Sequence, residues 1–304
     1  MPSTPLRLLG AAALAGAAGL TWSLVEARSY VLREVTVPVL APGSAPLRVL
    51  HLSDLHLTPS QDDKIAWVRS LADLEPDLVV DTGDNMAHVD ALPALLHALD
   101  PLLGTPGAFV MGSNDYYAPI PKNPARYLAP GRFPVIPPER TLPAAELAAT
   151  LRDAGWKDLT NRRDALTVGG QTIALAGVDD PHLDRDRFPA PQDSPEADLR
   201  LGVTHAPYRR VLDAMHAEGS DLVLAGHTHG GQLCVPGYGA LVTNCDLDTG
   251  RVKGLHGWPG ARPDAPGGAD STWLHVSAGL GTSPYTPVRF ACRPEATLLT
   301  LTAR

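Results

Sequence analysis

Five stretches of this chain end in side chains that can hold a metal ion, and each follows a short apolar run. Leu47 to Leu52 leads into Ser53-Asp54-Leu55-His56. In extended backbone, residues two apart point to the same side, so the Asp54 carboxylate and the His56 imidazole are expected to converge. The run LVVDTGD ends in Gly83-Asp84, where glycine permits a tight turn that delivers Asp84 to a sheet edge. A third run ends in Gly112-Ser113-Asn114-Asp115. Val203-Thr204-His205 and Leu224-Ala225-Gly226-His227-Thr228-His229 contribute three imidazoles, the last two spaced as H-x-H. Alone, each motif is weak, because D-x-H arises by chance and Gly-Asp is usually a solvated turn. Their conjunction carries the weight.

In open α/β sheets, ligands gather beyond the carboxyl ends of the strands. Asp54, His56, Asp84, Asn114, His205, His227 and His229 would then share one crevice, which is more donors than one ion takes. Two divalent ions need about eight to twelve donor positions, some shared and some filled by water, and a carboxylate such as Asp84 can bridge with both oxygens. Oxygen and imidazole donors without thiolate suit Mn, Fe or Zn, whereas the histidines argue against Ca or Mg alone.

The elements that must position these groups read as α/β. From Leu47 onward, short apolar runs alternate with amphipathic stretches, as for strands buried on both faces. The runs are Leu47 to Leu52, Leu78 to Val80, Ala108 to Met111, Thr172 to Ala176, Leu199 to Val203, Leu222 to Ala225, Trp273 to Ser277 and Ala296 to Leu301. Ser60, with Asp63 three residues on, is a candidate cap for a helix whose Ile65, Val68, Leu71 and Leu74 recur at helical spacing. Pro-rich stretches from Ala118 to Pro143 and from Pro181 to Pro195, and a Gly/Pro stretch from Gly257 to Gly268, read as long surface loops that shape the mouth of the site. One catalytic domain over 47–304 follows an N-terminal segment, 1–35.

Composition narrows the function. Over 304 residues, 44% hydrophobic and 19% charged side chains describe a folded protein. A formal net charge of -8 without a long basic run excludes a binder that works by counterion release, so no stable nucleic-acid binding is expected. Cys234, Cys245 and Cys292 lack C-x-x-C spacing and read as buried, inert thiols. Leu8 to Val25 carries no charge and as a helix would span roughly 27 Å, enough to reach across a bilayer. Trp22 near its end suits an interfacial anchor. The expectation is a single N-terminal membrane helix at the cell membrane with the catalytic domain outside the cytoplasm. A cleaved secretory signal, giving a secreted protein, is the alternative.

As an ordered set, Asp54-x-His56, Gly83-Asp84, Gly112 to Asp115, His205 and Gly226-His227-Thr228-His229 resemble the signature of calcineurin-like metallophosphoesterases. The stretch Val276 to Thr282, with Arg289-Phe290 and Arg293-Pro294-Glu295, resembles the tail of the membrane-linked bacterial phosphodiesterase branch, so the likeness runs from about residue 47 to the end. It implies two mixed β-sheets packed face to face and flanked by helices. It also implies one ion on Asp54, His56, Asp84 and His229, a second on Asp84, Asn114, His205 and His227, and Arg289 helping to close the site on substrate. In the family the third motif usually reads Gly-Asn-His followed by an acidic residue. Read without a gap, Ser113 takes the ligand position and Asn114 replaces the histidine. Read with one inserted residue, Asn114 stays the ligand and Asp115 replaces it; an amide oxygen is the better ligand, which favours this second register. The missing histidine is thought to protonate the leaving oxygen, a contribution of about 10² to 10⁴ in rate, and Asp115 or His182 are the candidates to replace it.

The expected function is hydrolysis of phosphate esters, phosphodiesters foremost, by a hydroxide bridging two divalent ions. A membrane segment suggests a lipid-linked substrate. The alternative is a non-catalytic metal-binding membrane protein with a degenerate phosphoesterase site. His51, inside a strand, is expected to pack. His88, His97, His216, His256 and His275 have no motif context, and Trp67 and Trp156 read as packing residues.

Overall fold

Leu47–Leu52, Leu78–Asp81 and Gly107–Phe109 are buried along nearly their whole length, and strands of this kind are stable only with both faces covered. They are β2, β3 and β4 of a computed structural model that describes residues 4–121, 140–190 and 196–304, with side chains from residue 10 onward. The first sheet runs β1 (Val31–Leu40), β14 (Glu295–Ala303), β2, β3, β4 and β5 (Lys157–Asp158). Strands β2 to β5 are parallel, β14 is antiparallel to β2, and β1 is parallel to β14. The second sheet runs β12 (Gly254–Trp258), β13 (Thr272–Val276), β9 (Leu222–Ala225), β8 (Leu199–Thr204), β7 (Gln171–Gly177) and β6 (Arg163–Val168). Its four inner strands are parallel and both outer strands antiparallel.

Alternate residues of the same strands feed different cores. Val49, Leu78 and Val80 meet Leu175, Leu201, Val203 and Leu224 between the sheets. Leu50, Leu52 and Val79 face outward, onto Ile65 and Val68 of helix α2 (Asp62–Ser70), Leu95 and Leu99 of α3 (Leu92–Leu99) and Leu147 and Leu151 of α5 (Ala144–Asp153). On the far side, Val211, Leu212 and Met215 of α6 (Arg209–Ala217) cover Val223 and Leu274. The architecture is therefore two mixed sheets, face to face, flanked by helices. Helix α2 begins without help from Ser60; Gln61 occupies the cap position, and its Oε1 accepts from Thr58 N at 3.1 Å instead of capping the helix.

Two sequence expectations change here. Val31–Leu40 is an edge strand of the catalytic fold, although residues 31–35 read as part of the N-terminal segment; its Pro38 is tolerable because an edge strand can leave one side unpaired. The residues before it form α1 (Thr4–Glu26), yet among the described residues no helix is long and apolar enough to cross a membrane. Its end is docked on the domain. Glu26 accepts from Ala291 N at 3.1 Å and Cys292 N at 2.6 Å, and Ser23 O accepts from Arg289 N at 3.0 Å. Trp22 Nε1 donates to Glu26 Oε2 at 2.7 Å, so its polar edge is spent on this junction. Most of the first Pro-rich loop, 122–139, and the end of the second, 191–195, lie outside the described residues.

Candidate dinuclear metal centre

Asp54 and His56 follow β2, Asp84 follows β3, the short helix α4 (Ser113–Tyr116) follows β4, His205 follows β8, and His227 and His229 follow β9. All leave the carboxyl ends of parallel strands, from both sheets, on one side of the interface. Strand pleat does not aim them. The backbone is left-handed at Asp54 (φ 51°), His56 (40°), Asp84 (59°), His227 (69°) and His229 (48°), a conformation costing a non-glycine residue about 1–3 kcal/mol. Five of the ten described non-glycine residues with left-handed backbone are therefore candidate ligands.

Fixed donors hold these turns. Asp54 N donates to Gly83 O at 2.9 Å and His56 N to Asp84 O at 3.0 Å, tying the loop after β2 to the loop after β3. Lys64 Nζ, buried, donates to Leu55 O at 2.8 Å between the two candidate ligands, and burial pulls its pKa down to about 7. Gly226 must be glycine, because a Cβ there would lie 2.6 Å from Asp54 Oδ2.

The side chains converge in two overlapping groups. Asp54 Oδ1 lies 3.9 Å from His56 Nε2 and 3.6 Å from His229 Nε2, and the two imidazole nitrogens are 3.2 Å apart. Asp84 reaches both groups: Oδ2 is 3.5 Å from His56 Nε2, and Oδ1 is 3.5 Å from His205 Nε2. His205 Nε2 in turn is 3.2 Å from His227 Nδ1. Asp54, His56 and His229, and likewise Asp54, Asp84 and His205, each present ligand atoms within 4.8 Å of one another.

The far nitrogens decide which atoms face inward. His205 Nδ1 lies 2.8 Å from Thr82 O, His227 Nε2 lies 3.3 Å from Asn244 O, and His229 Nδ1 lies 3.1 Å from Gly281 O. A carbonyl only accepts, so each of those nitrogens carries a hydrogen, and the opposite nitrogen of His205 faces Asp84, that of His229 faces Asp54 and that of His227 faces His205 Nε2. Arg289 Nη2 is also 3.3 Å from His229 Nδ1, but shorter contacts to Ala278 O and Gly281 O, at 2.7 and 2.8 Å, use its hydrogens. Asp54 Oδ1 is buried and has no hydrogen-bond partner. Inward lone pairs around a bare carboxylate oxygen fit divalent cations.

Electrostatics agree. Burial raises Asp84 to about 7 against the pull of His205. Burial also works to lower His205, but Asp84, Asp54 and Asp180 outweigh it and bring the imidazole up to about 9. Burial lowers His229 to about 3 and takes His227 well below the usual range, keeping both neutral. His205 thus takes up the proton that the crowded carboxylates call for while His227 and His229 stay neutral, and a bound cation would take over that positive charge.

Other expected residues have different tasks. Asp115 is fully buried, and its carboxylate accepts from Asp84 N at 2.8 Å, Gly112 N at 2.9 Å and Asn85 N at 2.9 Å. It clamps the loops and has no oxygen turned to substrate. That clamp is where the motif's acidic residue falls when no gap is inserted, so the geometry favours the ungapped register: Ser113 Oγ is 3.5 Å from Asp84 Oδ1, while Asn114 Nδ2 donates to Tyr117 O at 2.8 Å. Asn114 still contributes its backbone N–H, to Asp84 Oδ1 at 2.6 Å. His182 stands at the rim, its ring centroid 4.6 Å from that of His227 and its Nδ1 3.1 Å from Tyr208 Oη. Arg289 is fully buried beneath the site and bonded to backbone carbonyls, so it positions the site and does not reach substrate.

Asp180 escaped the sequence reading. It is fully buried, Oδ1 accepts from His182 N at 2.9 Å, and burial raises it to about 6 against the pull of His205. Its one signal was its place in Gly177-Val178-Asp179-Asp180-Pro181-His182, directly after β7. His51 packs as expected, paired between the sheets with His275 at 3.0 Å and with Thr82 Oγ1 at 3.0 Å.

Known proteins match this arrangement. The model of the calcineurin-like phosphoesterase family matches residues 47–231, more than half of the chain. An uncharacterised metallophosphoesterase of Aquifex aeolicus is 28% identical over 86% of this chain and 87% of its own. Phosphodiesterase YaeI of Escherichia coli is 27% identical over 85% and 83%, and the UDP-2,3-diacylglucosamine pyrophosphatase LpxG of Chlamydia trachomatis is 25% identical over 83% of both. With the strand-end carboxylates and imidazoles gathered at one crevice and the family match laid over the segments that supply them, this chain belongs to the calcineurin-like phosphoesterases, metal-dependent hydrolases of phosphoric esters.

Proposed function

We propose that the chain hydrolyses phosphodiesters with two divalent ions, Mn, Fe or Zn, at the strand-end crevice. Asp54, His56, Asp84 and His229 would hold one ion, and Asp84, His205 and His227 the other, with Ser113 or Asn114 completing it. The observation that carries this reading is the set of backbone carbonyls on Thr82, Asn244 and Gly281, which hold the far nitrogens of three imidazoles so that their near nitrogens face Asp84, His205 and Asp54. Bound ions would supply Lewis-acid charge for the phosphoryl oxygens and lower the pKa of an attacking water. Asp84, with one oxygen toward each group, fixes their spacing. His182, steadied by Tyr208 and by Asp180 on its backbone, would pass a proton to the leaving oxygen.

Substrate class is supported from two directions. One relative is named a phosphodiesterase, and another a pyrophosphatase of a diacylated sugar nucleotide. Leu233, Val235, Tyr238, Leu241 and Val242 are exposed on the segment after His229, which suits a phosphodiester carrying acyl chains. Mn-loaded protein is expected to turn over bis(4-nitrophenyl) phosphate at least about tenfold faster than the monoester. Diesters with alkyl leaving groups should depend on His182, so His182→Ala should slow them by about 10² to 10⁴ and leave bis(4-nitrophenyl) phosphate, whose leaving group hardly needs an acid, nearly unchanged. No metal-dependent turnover of any diester would overturn the proposal in favour of a site that only binds metal.

A further inference from the structure

Cys234 and Cys292 are remote in sequence, yet both sulfurs lie on the turn that carries His229. Cys234 Sγ donates to Gly230 O at 3.2 Å. Cys292 Sγ lies 3.3 Å from His229 O and 3.5 Å from Gly230 O, so the two sulfurs share the Gly230 carbonyl. With Ala240, Val252 and Ala278 they form a small buried cluster of their own. Gly230 is required there, since a Cβ would stand 2.7 Å from Cys292 Sγ. Lys253 Nζ and Arg289 Nη1 lie 3.6 and 3.9 Å from that sulfur, electropositive company of the kind found around oxidisable thiols. Cys245 packs elsewhere, beside the α6 cluster.

We propose that Cys234 and Cys292 form an oxidisable dithiol, which a peroxide closes to a disulfide and which thereby weakens ion binding at His229. The Cys292 sulfur attacks one peroxide oxygen, the O–O bond breaks, and the other oxygen leaves as water, giving a sulfenic acid. The Cys234 sulfur then displaces that hydroxyl as a second water. Two thiols and one hydrogen peroxide become one disulfide and two waters, the sulfurs losing the two electrons that the peroxide gains. Access comes through the β10–β11 hairpin (Cys234–Val235 and Gly239–Ala240), whose two residue pairs are too few to stay closed independently. A disulfide has no S–H, so Gly230 O loses its sulfur donors and His229 O is left to Gln232 N and Arg289, which loosens the ligand turn. The coupling, though not the disulfide itself, rests on His229 holding an ion as proposed above.

Reduced full-length protein is treated with hydrogen peroxide, thiols are counted after unfolding, and peptides are mapped without reductant. The count is expected to fall from three to one, with Cys234 linked to Cys292 and Cys245 free. Mn binding, followed calorimetrically, should weaken about 10- to 100-fold and recover with dithiothreitol, whereas C292A, lacking the attacking sulfur, should be insensitive to peroxide and C234A should stop at the Cys292 sulfenic acid without forming a disulfide. Three surviving thiols, or a link through Cys245, overturns the dithiol. A mapped disulfide with unchanged Mn affinity overturns the coupling. Reduced protein that binds no Mn sinks the metal reading and the coupling together, and leaves the disulfide map to judge the dithiol alone.

Discussion

Asp84→Asn should lower metal-dependent phosphodiester turnover by about 10² to 10³ or more while the fold persists, because it removes the one carboxylate with an oxygen toward each half of the site. The amide keeps an oxygen for Asn114 N, now 2.6 Å from Asp84 Oδ1, so local structure has its main anchor. Metal-free stability should respond oppositely to activity. Burial raises the Asp84 carboxyl from 3.8 to about 7, so the folded chain binds more protons than the unfolded one between those values. Stability from this group therefore falls as pH climbs through that window and is lowest above it. Metal-free Asp84→Asn should thus melt no lower than metal-free wild type at about pH 8. A variant with wild-type turnover would remove Asp84 from the centre of the chemistry.

Arg289→Met should destabilise the protein by about 3 kcal/mol, roughly 5 °C in Tm for a chain of this length, because Ala278 O loses the Arg289 donor while buried and Gly279 O and Gly281 O are left to Glu295 N and His229 Nδ1. Metal affinity should fall with it, since Gly281 O also orients His229 and Arg289 Nη1 reaches His229 O at 3.4 Å. Arg289→Lys should recover little, because a point charge cannot serve several carbonyls that a planar fork spans. Calorimetry with steady-state kinetics separates this from the sequence expectation of a substrate contact. An unchanged Tm with a raised KM would restore Arg289 to substrate binding.

Much of the molecule was legible because its signals are local. Leu47 to Leu52 and Leu222 to Ala225 are strands with the bounds their apolar runs suggest, since strands buried on both faces cannot hide polar residues. Strands β6, reading RDALTV, and β12, reading GLHGW, are outer antiparallel strands with mixed faces and gave no such run. The donors now gathered at the crevice were visible as polar residues directly after those runs. How they aim was not: Asp and His tolerate left-handed backbone better than most residues, but its adoption at Asp54, His56, Asp84, His227 and His229 is decided by hydrogen bonds from distant segments. Asp115 misled for a related reason: a carboxylate's sequence position does not reveal that three backbone amides will claim it. The Cys234 and Cys292 pairing depends on β10 and the segment after Arg289 meeting at one turn, which no spacing encodes.

Anomalous scattering from crystals of the full chain grown with Mn asks the central question directly. Two Mn peaks are expected, one bounded by Asp54, His56 and His229, the other by His205 and His227, with Asp84 between them. A single peak, no peak, or Mn bound away from Asp84 would contradict the shared two-ion centre.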